Sequence, residues 1–138
     1  MTPDRLGSVI GAADVVVLAA PASASTEGLA DAAFLVGMKP GSVLVNVARG
    51  SLVDEEALLA ALDRGMPEAA ILDVFVTEPL AADHPFWSHP AVTLTAHNAA
   101  GGTGRYGRQA DLSAENLDRY RAGRPLLNDV TDAVLAQR

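Results

Sequence analysis

The chain has 138 residues, and 49% of them are hydrophobic, which excludes an intrinsically disordered chain. The formal net charge of −7 argues against a nucleic-acid-binding protein, because such proteins normally present a basic surface. The absence of cysteine excludes disulfides, iron–sulfur clusters, thiolate zinc sites and a cysteine nucleophile.

The apolar segments are too short to predict a membrane span. The longest runs from Val15 to Ala22 and contains Pro21, whereas a spanning helix needs about 20 apolar residues. The amino-terminal residues include Asp4 and Arg5 and lack the hydrophobic region of a secretory signal. We therefore expect a cytoplasmic protein.

Helices and strands alternate along the chain. Hydrophobic patterning predicts helices at residues 2–13, 31–38, 55–64 and 103–122, and strands at residues 14–20, 42–47, 69–73 and 92–95. Asp31 and Asp54 are suitable N-cap residues for the second and third helices. Residues 76–90 are predicted to form a long loop and residues 124–138 a tail. This alternation predicts an α/β fold with a parallel sheet and helices beside it.

The first two strands are apolar without alternation. Residues 14–20 and 42–47 contain continuous runs of valine, leucine and alanine rather than an alternating pattern. Strands of this kind are typical of parallel sheets that are covered on both faces. We therefore expect both strands to be buried on both faces.

Residues with distinct chemistry follow three of the predicted strands. Arg49 follows the second strand, Asp73 and Glu78 follow the third, and His97 follows the fourth. Ligands bind beyond the carboxyl ends of the strands in open parallel sheets. An arginine can grip a carboxylate with two parallel hydrogen bonds, and a histidine held by a carboxylate can transfer a proton. This set suits an enzyme acting on a 2-keto or 2-hydroxy acid, with the hydride supplied by a cofactor.

Each of these residues also has a simpler interpretation. Arg49 could be an exposed loop arginine, Glu78 part of a plain turn, and His97 a loop histidine with satisfied hydrogen bonds. Asp73 could accept hydrogen bonds from loop amides instead of facing a ligand. Their convergence at one edge of the sheet favours the functional interpretation.

His84 and His89, with Asp83, could suggest a metal site. Their spacing fits no known ligand pattern, so we expect surface histidines and no metal.

One motif resembles a dinucleotide fingerprint without its context. Residues 102–107 read G-T-G-R-Y-G, which matches G-x-G-x-x-G. The motif is meaningful only in a tight turn between a strand and a helix of a βαβ unit. The fourth strand is predicted to end near Thr95, so these glycines are interpreted as the approach to the last helix.

Four segments together carry a family resemblance. They read VNVARGSLVD at 45–54, LDVFVTEP at 72–79, HPFW at 84–87 and LTAH at 94–97. In this order and spacing they resemble the D-isomer-specific 2-hydroxyacid dehydrogenases, in particular the glyoxylate/hydroxypyruvate reductases. The resemblance runs from about Ala13 to the end of the chain and implies an incomplete Rossmann-like fold that lacks the first βαβ unit.

The resemblance implies roles for individual residues. Arg49 would bind the substrate carboxylate, His97 would be the general acid and base, and Glu78 would be its partner. NAD or NADP would be the cofactor, with Asp73 facing the nicotinamide carboxamide. The residues implied to contact the cofactor are Ala20, Pro21, Thr26, Val47, Ala48, Arg49, Asp73, His97, Ala99 and Ala100.

The sequence departs from the family in two respects. Ala96 stands where most members have proline before the catalytic histidine. The family chain is also more than twice as long, and its substrate domain, glycine fingerprint and ribose-binding acidic residue precede the part present here. Glu78 argues against the formate dehydrogenases of the superfamily, which have glutamine at this position.

These departures set the expected organisation. Residues 1–104 would be the carboxy-terminal portion of a nucleotide-binding domain, and residues 105–138 a terminal helix and tail that normally pack on the substrate domain. We expect weak or no cofactor binding by this chain alone, and we expect a homodimer. A non-catalytic remnant or dimerisation module, and a truncated gene product, are the alternatives.

Overall fold

A computed structural model describes residues 6–129. The chain divides into two compact units, residues 1–99 and residues 100–138. The first unit contains all four strands and the three shorter α-helices, and the second contains one long helix.

The first unit is built on a parallel sheet of four strands. They are β1 (Val15–Leu18), β2 (Val43–Asn46), β3 (Ala69–Leu72) and β4 (Val92–Leu94), and they lie side by side in chain order. Every neighbouring pair is parallel, with Val17 opposite Val45 and Val45 opposite Ile71. The predicted α/β fold with a parallel sheet is confirmed.

The helices agree with the predicted order but are shorter. They are α1 (Gly7–Ile10), α2 (Ala32–Val36), α3 (Glu55–Leu62) and α4 (Arg105–Arg121). The first helix was expected over residues 2–13, of which residues 2–5 lie outside the described part of the chain. A 3₁₀-helix at Pro85–Trp87 lies within the predicted long loop, and another at Gly50–Leu52 follows Arg49.

Both predicted N-caps are confirmed. The Asp31 carboxylate accepts a hydrogen bond from the Phe34 amide at 2.8 Å, and the Asp54 carboxylate accepts one from the Ala57 amide at 2.9 Å. Each contact satisfies an amide that the first helical turn leaves without a partner.

The hydrophobic core lies on one face of the sheet. Leu18, Leu44 and Leu72 point into a cluster that also contains Leu35 of α2 and Leu58 of α3. These leucines are at most 5% exposed. Helices α2 and α3 therefore cover this face.

The opposite face of the sheet corrects the expectation for the first strand. Val15 and Val17 of β1 are 54% and 56% exposed, and Ile71 of β3 is 39% exposed. The prediction that β1 is buried on both faces is wrong for this chain. The strand pairs only with β2, and the cluster formed with α2 and α3 lies on the other side of the sheet.

The second unit is described by α4 and the residues around it. Helix α4 has no buried residue, and its N-cap is Gly104, with φ of +76°. Glycines 102–107 therefore stand at the start of a helix, well after the end of β4, as the interpretation against a dinucleotide fingerprint requires. The amide and carbonyl oxygen of Leu127 bond the side chain of Asn116. None of the helices in residues 6–129 has the length and apolar character of a membrane-crossing segment.

Candidate active site

A buried asparagine organises the loop that carries Arg49. Asn46, the last residue of β2, is 1% exposed. Its Nδ2 donates a hydrogen bond to the Arg49 carbonyl oxygen at 2.9 Å, and its Oδ1 accepts one from the Ala48 amide at 3.1 Å. Sequence reasoning missed this residue. The available signal was a single amide side chain in an otherwise apolar strand, where a buried polar group needs partners.

Gly50 lets the Arg49 loop approach the segment that follows β3. A Cβ atom at Gly50 would lie 1.8 Å from the Phe75 carbonyl carbon and 2.2 Å from the Val76 nitrogen. No side chain fits at that distance, so the close approach of the two backbones depends on glycine. The approach brings the exits of two neighbouring strands against each other.

Glu78 and His97 form a hydrogen-bonded pair. The Nδ1 atom of His97 lies 2.7 Å from Oε2 of Glu78, and both side chains are partly exposed. The other carboxylate oxygen accepts a hydrogen bond from the Phe75 amide at 2.9 Å. The hydrogen bond with His97, the Phe75 amide and the nearby charges of His97 and Arg49 hold the pKa of Glu78 below its usual value. The carboxylate thus remains ionised and fixes the orientation of the imidazole.

Asp73 organises the loop that carries His97. Its side chain accepts hydrogen bonds from the Thr95 hydroxyl, the Asn98 amide at 3.0 Å and the Ala99 amide at 2.8 Å. Its carbonyl oxygen accepts one from the His97 amide at 2.8 Å. Burial acts to raise the pKa of Asp73, but the hydrogen bonds from Thr95, Ala99 and Asn98 together lower it. The contacts match the alternative in which Asp73 binds loop amides.

The backbone of His97 is strained. Its φ of +49° lies in the left-handed region, which is uncommon for residues other than glycine. Such a conformation persists when the surrounding contacts impose it. The amide of His97 is held by Asp73, and the next two amides are held by the same residue. The Asp73 contacts therefore set the position of the imidazole.

The three central predicted residues line one pocket at the edge of the sheet. This rim pocket has a volume of about 290 Å³. Its lining residues are Ala22, Arg49, Gly50, Ser51, Phe75, Val76, Glu78 and His97. A guanidinium that can grip a carboxylate thus shares a cavity with an imidazole that a carboxylate orients.

The residues expected to contact the cofactor do not all lie at one place in the structure. Ala20 and Pro21 follow β1, and Val47 and Ala48 follow β2. The Thr26 hydroxyl donates to the Pro21 carbonyl oxygen at 2.8 Å, so it holds the loop after β1. Ala99 follows His97 in the first unit, whereas Ala100 belongs to the second.

The strand exits carry small side chains and, within residues 6–129, no glycine-rich phosphate-binding turn. The side chains around the strand exits, at Ala20, Ala22 and Ala48, are small. In the described part of the chain, no glycine-rich turn joins a strand directly to a helix as a dinucleotide fingerprint does.

His84 and His89 serve the local structure. The Nδ1 atom of His84 accepts from the Phe86 amide at 3.2 Å, and Nε2 lies 3.6 Å from Glu55. The Nδ1 atom of His89 accepts from the Ala91 amide at 3.2 Å. Over residues 6–129, no cluster of histidine and carboxylate side chains has the geometry of a metal site. The side chains of His84 and His89 are 21% and 12% exposed, so the expectation of surface histidines is wrong.

Comparison with known proteins identifies related sequences and structures. The family model for the D-isomer specific 2-hydroxyacid dehydrogenase, NAD binding domain, matches residues 1–99. The glyoxylate/hydroxypyruvate reductase A of Photorhabdus laumondii is 42% identical over 97 residues, which are 70% of this chain and 31% of that protein. The corresponding protein of Serratia proteamaculans is 49% identical over 80 residues, which are 58% of this chain and 26% of that protein.

Solved structures give the same result. A D-isomer specific 2-hydroxyacid dehydrogenase from Xanthobacter autotrophicus, in complex with NADPH, superposes with a TM-score of 0.80 and 38% identity, over 91% of this chain and 51% of that one. An NADPH-dependent glyoxylate/hydroxypyruvate reductase from Sinorhizobium meliloti, in complex with NADP and sulfate, superposes with a TM-score of 0.77 and 28% identity. The match covers 89% of this chain and 40% of that one. The chain thus spans well under half the length of these curated relatives, and about half of the first structure.

Proposed function

The chain belongs to the D-isomer-specific 2-hydroxyacid dehydrogenase family, of which it is an NAD-binding domain, and on that premise we propose that it carries the acid–base and carboxylate-binding groups of an oxidoreductase. The reaction is hydride transfer between NAD(P)H and a small 2-keto acid, which becomes the 2-hydroxy acid. The observation that carries the proposal is the 2.7 Å contact between His97 and Glu78 in a pocket that Arg49 also lines.

Arg49 binds and orients the substrate in this proposal. Its guanidinium donates two parallel hydrogen bonds to the substrate carboxylate, and its charge polarises the adjacent carbonyl. Asn46 fixes the backbone on which Arg49 stands, since its side chain bonds the Arg49 carbonyl oxygen at 2.9 Å. Replacement by lysine would retain the charge and lose the paired geometry.

His97 transfers the proton. In the direction of reduction, its imidazolium donates a proton from Nε2 to the carbonyl oxygen of the substrate, and in oxidation the neutral ring takes the proton from the hydroxyl. Glu78 holds Nδ1 and stabilises the protonated ring. NAD(P)H, when bound, supplies the hydride that no side chain can provide. Ala20, Pro21, Val47, Ala48 and Ala99 are the residues that we propose to contact its nicotinamide end.

The test of this proposal is binding of a substrate analogue. Oxamate carries a carboxylate beside a carbonyl, and we expect it to shift the NMR signals of the Arg49 guanidinium and the His97 ring. Arg49→Gln should abolish the shift of the His97 ring, and His89→Gln, which lies outside the pocket, should leave both shifts intact. Oxamate binding that persists in Arg49→Gln, or no binding by the unaltered chain, would overturn the proposal.

Turnover by this chain alone is not expected. A helix N-terminus that cradles the pyrophosphate is a major part of dinucleotide affinity. Mixing the purified chain with NADH and glyoxylate or hydroxypyruvate should give no oxidation of NADH. Oxidation that depends on His97 would instead show that the described residues suffice for cofactor binding.

A second candidate function is a non-catalytic association module of the same family. The exposed valines of β1 favour it, because an apolar edge strand invites pairing with another chain. Sedimentation at several concentrations, with and without NADH, separates the two functions. A stable dimer that is indifferent to cofactor and to oxamate favours the module.

The proposal also covers organisation and location. Residues 1–104 form the carboxy-terminal portion of the nucleotide-binding domain, and residues 105–138 contact a substrate domain. The absence of buried residues in α4 supports the second assignment. We further propose a cytoplasmic homodimer, which an acidic chain without cysteine and with an open sheet edge supports.

A further inference from the structure

A second and larger pocket adjoins the rim pocket. It has a volume of about 560 Å³, within the range of small-molecule sites, and we call it the side pocket. Phe75, Glu78 and His97 line both pockets, so the proton-transferring pair stands between them. The apolar residues that line the side pocket alone are Pro79, Leu80, Trp87, Leu94 and Ala96.

The walls of the side pocket are held in place from outside it. The Trp87 indole nitrogen donates to the Ala81 carbonyl oxygen at 2.8 Å, which fixes the ring although 58% of the residue is exposed. The neighbouring Phe86 is 1% exposed and anchors the backbone in the core. Leu80 and Leu94 pack against the same core. The pocket is thus an apolar surface prepared without a ligand, and preorganisation of this kind lowers the cost of binding.

The two pockets suit different parts of a 2-keto acid. Arg49 lines the rim pocket and does not line the side pocket. A carboxylate therefore belongs in the rim pocket, and the carbonyl must lie next to His97 to receive its proton. The substituent on the other side of the carbonyl then extends away from Arg49 toward the side pocket, which His97 also lines and whose walls are largely apolar.

We propose that the side pocket binds the substituent of the 2-keto acid, and that the preferred substrates carry a branched or aromatic side chain. This inference rests on the proposed function, because it takes the carboxylate and carbonyl positions from it. Glyoxylate has no carbon substituent and leaves the side pocket empty. Trp87, Leu80 and Leu94 are then the residues that select the substrate.

The test compares keto acids that share one head group. Pyruvate, 4-methyl-2-oxopentanoate and phenylpyruvate are titrated into the full chain, without cofactor. Trp87 is the single tryptophan, so its indole N–H gives one unambiguous signal in a ¹H–¹⁵N spectrum. We expect all three acids to shift the Arg49 guanidinium signal and the two larger acids alone to shift the indole. The larger acids should bind about tenfold more tightly than pyruvate, because part of their added hydrocarbon is buried.

Variants test the source of that preference by calorimetry. Trp87→Ala should remove most of the difference between phenylpyruvate and pyruvate, and Trp87→Phe should retain most of it. Tyr106→Ala, which removes an aromatic side chain that is 80% exposed outside both pockets, is the matched control and should change nothing. Because Trp87 is largely exposed, its replacement leaves the core intact.

The outcomes separate this inference from the proposed function. Pyruvate could bind through Arg49 while the larger acids gain no affinity and the Trp87 indole signal does not shift. In that case the proposed role of the side pocket is wrong and the proposed function stands. If no acid binds, or if binding persists in Arg49→Gln, the proposed function fails and the inference with it. If Trp87→Ala leaves the preference for phenylpyruvate unchanged, the proposed role of the side pocket is also wrong.

Discussion

Two carboxylates at neighbouring strand exits have different tasks because their surroundings differ. Asp73 is 2% exposed and accepts hydrogen bonds from one hydroxyl and two backbone amides. Glu78 is partly exposed and has one oxygen on His97 and the other on the Phe75 amide. Asp73 therefore positions the backbone of the His97 loop, and Glu78 positions the imidazole itself.

Asp73→Asn should destabilise the first unit and loosen the His97 loop. One carboxylate oxygen becomes an NH₂ group, which cannot accept a hydrogen bond from a backbone amide. We expect a loss of about 1–3 kcal/mol in the free energy of unfolding, measured by denaturant titration. Hydrogen exchange at Asn98 and Ala99 should accelerate in the same variant.

Asp54→Asn is the matched control for that change. Asp54 caps α3, and asparagine caps a helix about as well as aspartate, so its stability should barely change. Equal losses in Asp73→Asn and Asp54→Asn would contradict the special role of the Asp73 hydrogen bonds.

The ionisation of Glu78 should depend on His97. The hydrogen bond with His97 is the largest cause of its lowered pKa, so His97→Ala should raise the pKa of Glu78 toward its usual value of 4.5. The measurement is the ¹³C shift of the carboxyl group during a pH titration. The pKa of Asp14, which its hydrogen bond with Lys39 lowers, is the internal control and should not move.

The sign of the linked stability follows from the same shift. A carboxyl group with a lower pKa in the folded state stabilises it fully above the unfolded pKa, near 4.5. This contribution is lost as the pH falls through the folded pKa. In His97→Ala, the part of the acid-induced loss of stability that comes from Glu78 should therefore be smaller than in the unaltered chain. A Glu78 titration that His97→Ala leaves unchanged would refute the assignment.

At the scale of elements, the site depends on how two strand exits meet. The 3₁₀-helix Gly50–Leu52 follows Arg49 directly, and its first residue lies against the backbone at Phe75 and Val76. Val76 is also held from α3, since its amide donates to Glu55 at 2.9 Å. The position of Arg49 relative to Glu78 is thus set by backbone contacts between elements.

Gly50→Ala should disrupt this junction. The added methyl group would overlap the Phe75 carbonyl, so one backbone must move. Overpacking of this kind costs about 1–3 kcal/mol or more, and we expect a lower Tm together with weaker oxamate binding. Gly7→Ala is the control, because a Cβ there meets no atom within 4 Å. An unchanged Tm and unchanged oxamate binding in Gly50→Ala would contradict the close approach.

The sequence predicts the elements better than it predicts their contacts. Hydrophobic patterning, turn residues and the two aspartate caps were sufficient to predict the order of strands and helices, because these signals are local. The convergence of Arg49, Glu78 and His97 followed from one topological rule for parallel sheets. The Gly50 contact could not be predicted, since it depends on which backbone groups a distant segment brings near. The Asn46 hydrogen bonds are local, to Ala48 and Arg49, but the sequence does not show how the loop folds back onto the side chain.

At the scale of the whole chain, burial was the property that the sequence misjudged. Apolar runs predict covered strands, yet Val15 and Val17 are more than half exposed. Periodicity shows that a strand is apolar on both sides, but not whether this chain contains the elements that cover them. In the proposed homodimer, this exposed face is the surface that the partner would cover.

Replacement of both exposed valines should weaken self-association without unfolding the sheet. Val15→Thr with Val17→Thr keeps the branched shape that strands favour and makes the open face polar. If the proposed homodimer forms through this face, sedimentation velocity should show its dissociation constant rise about tenfold or more, since a buried valine contributes on the order of 1.5 kcal/mol. Val16→Thr, on the core side of the same strand, should instead lower the Tm and leave association unchanged. A dimer that survives the double change would show that the homodimer forms through another surface.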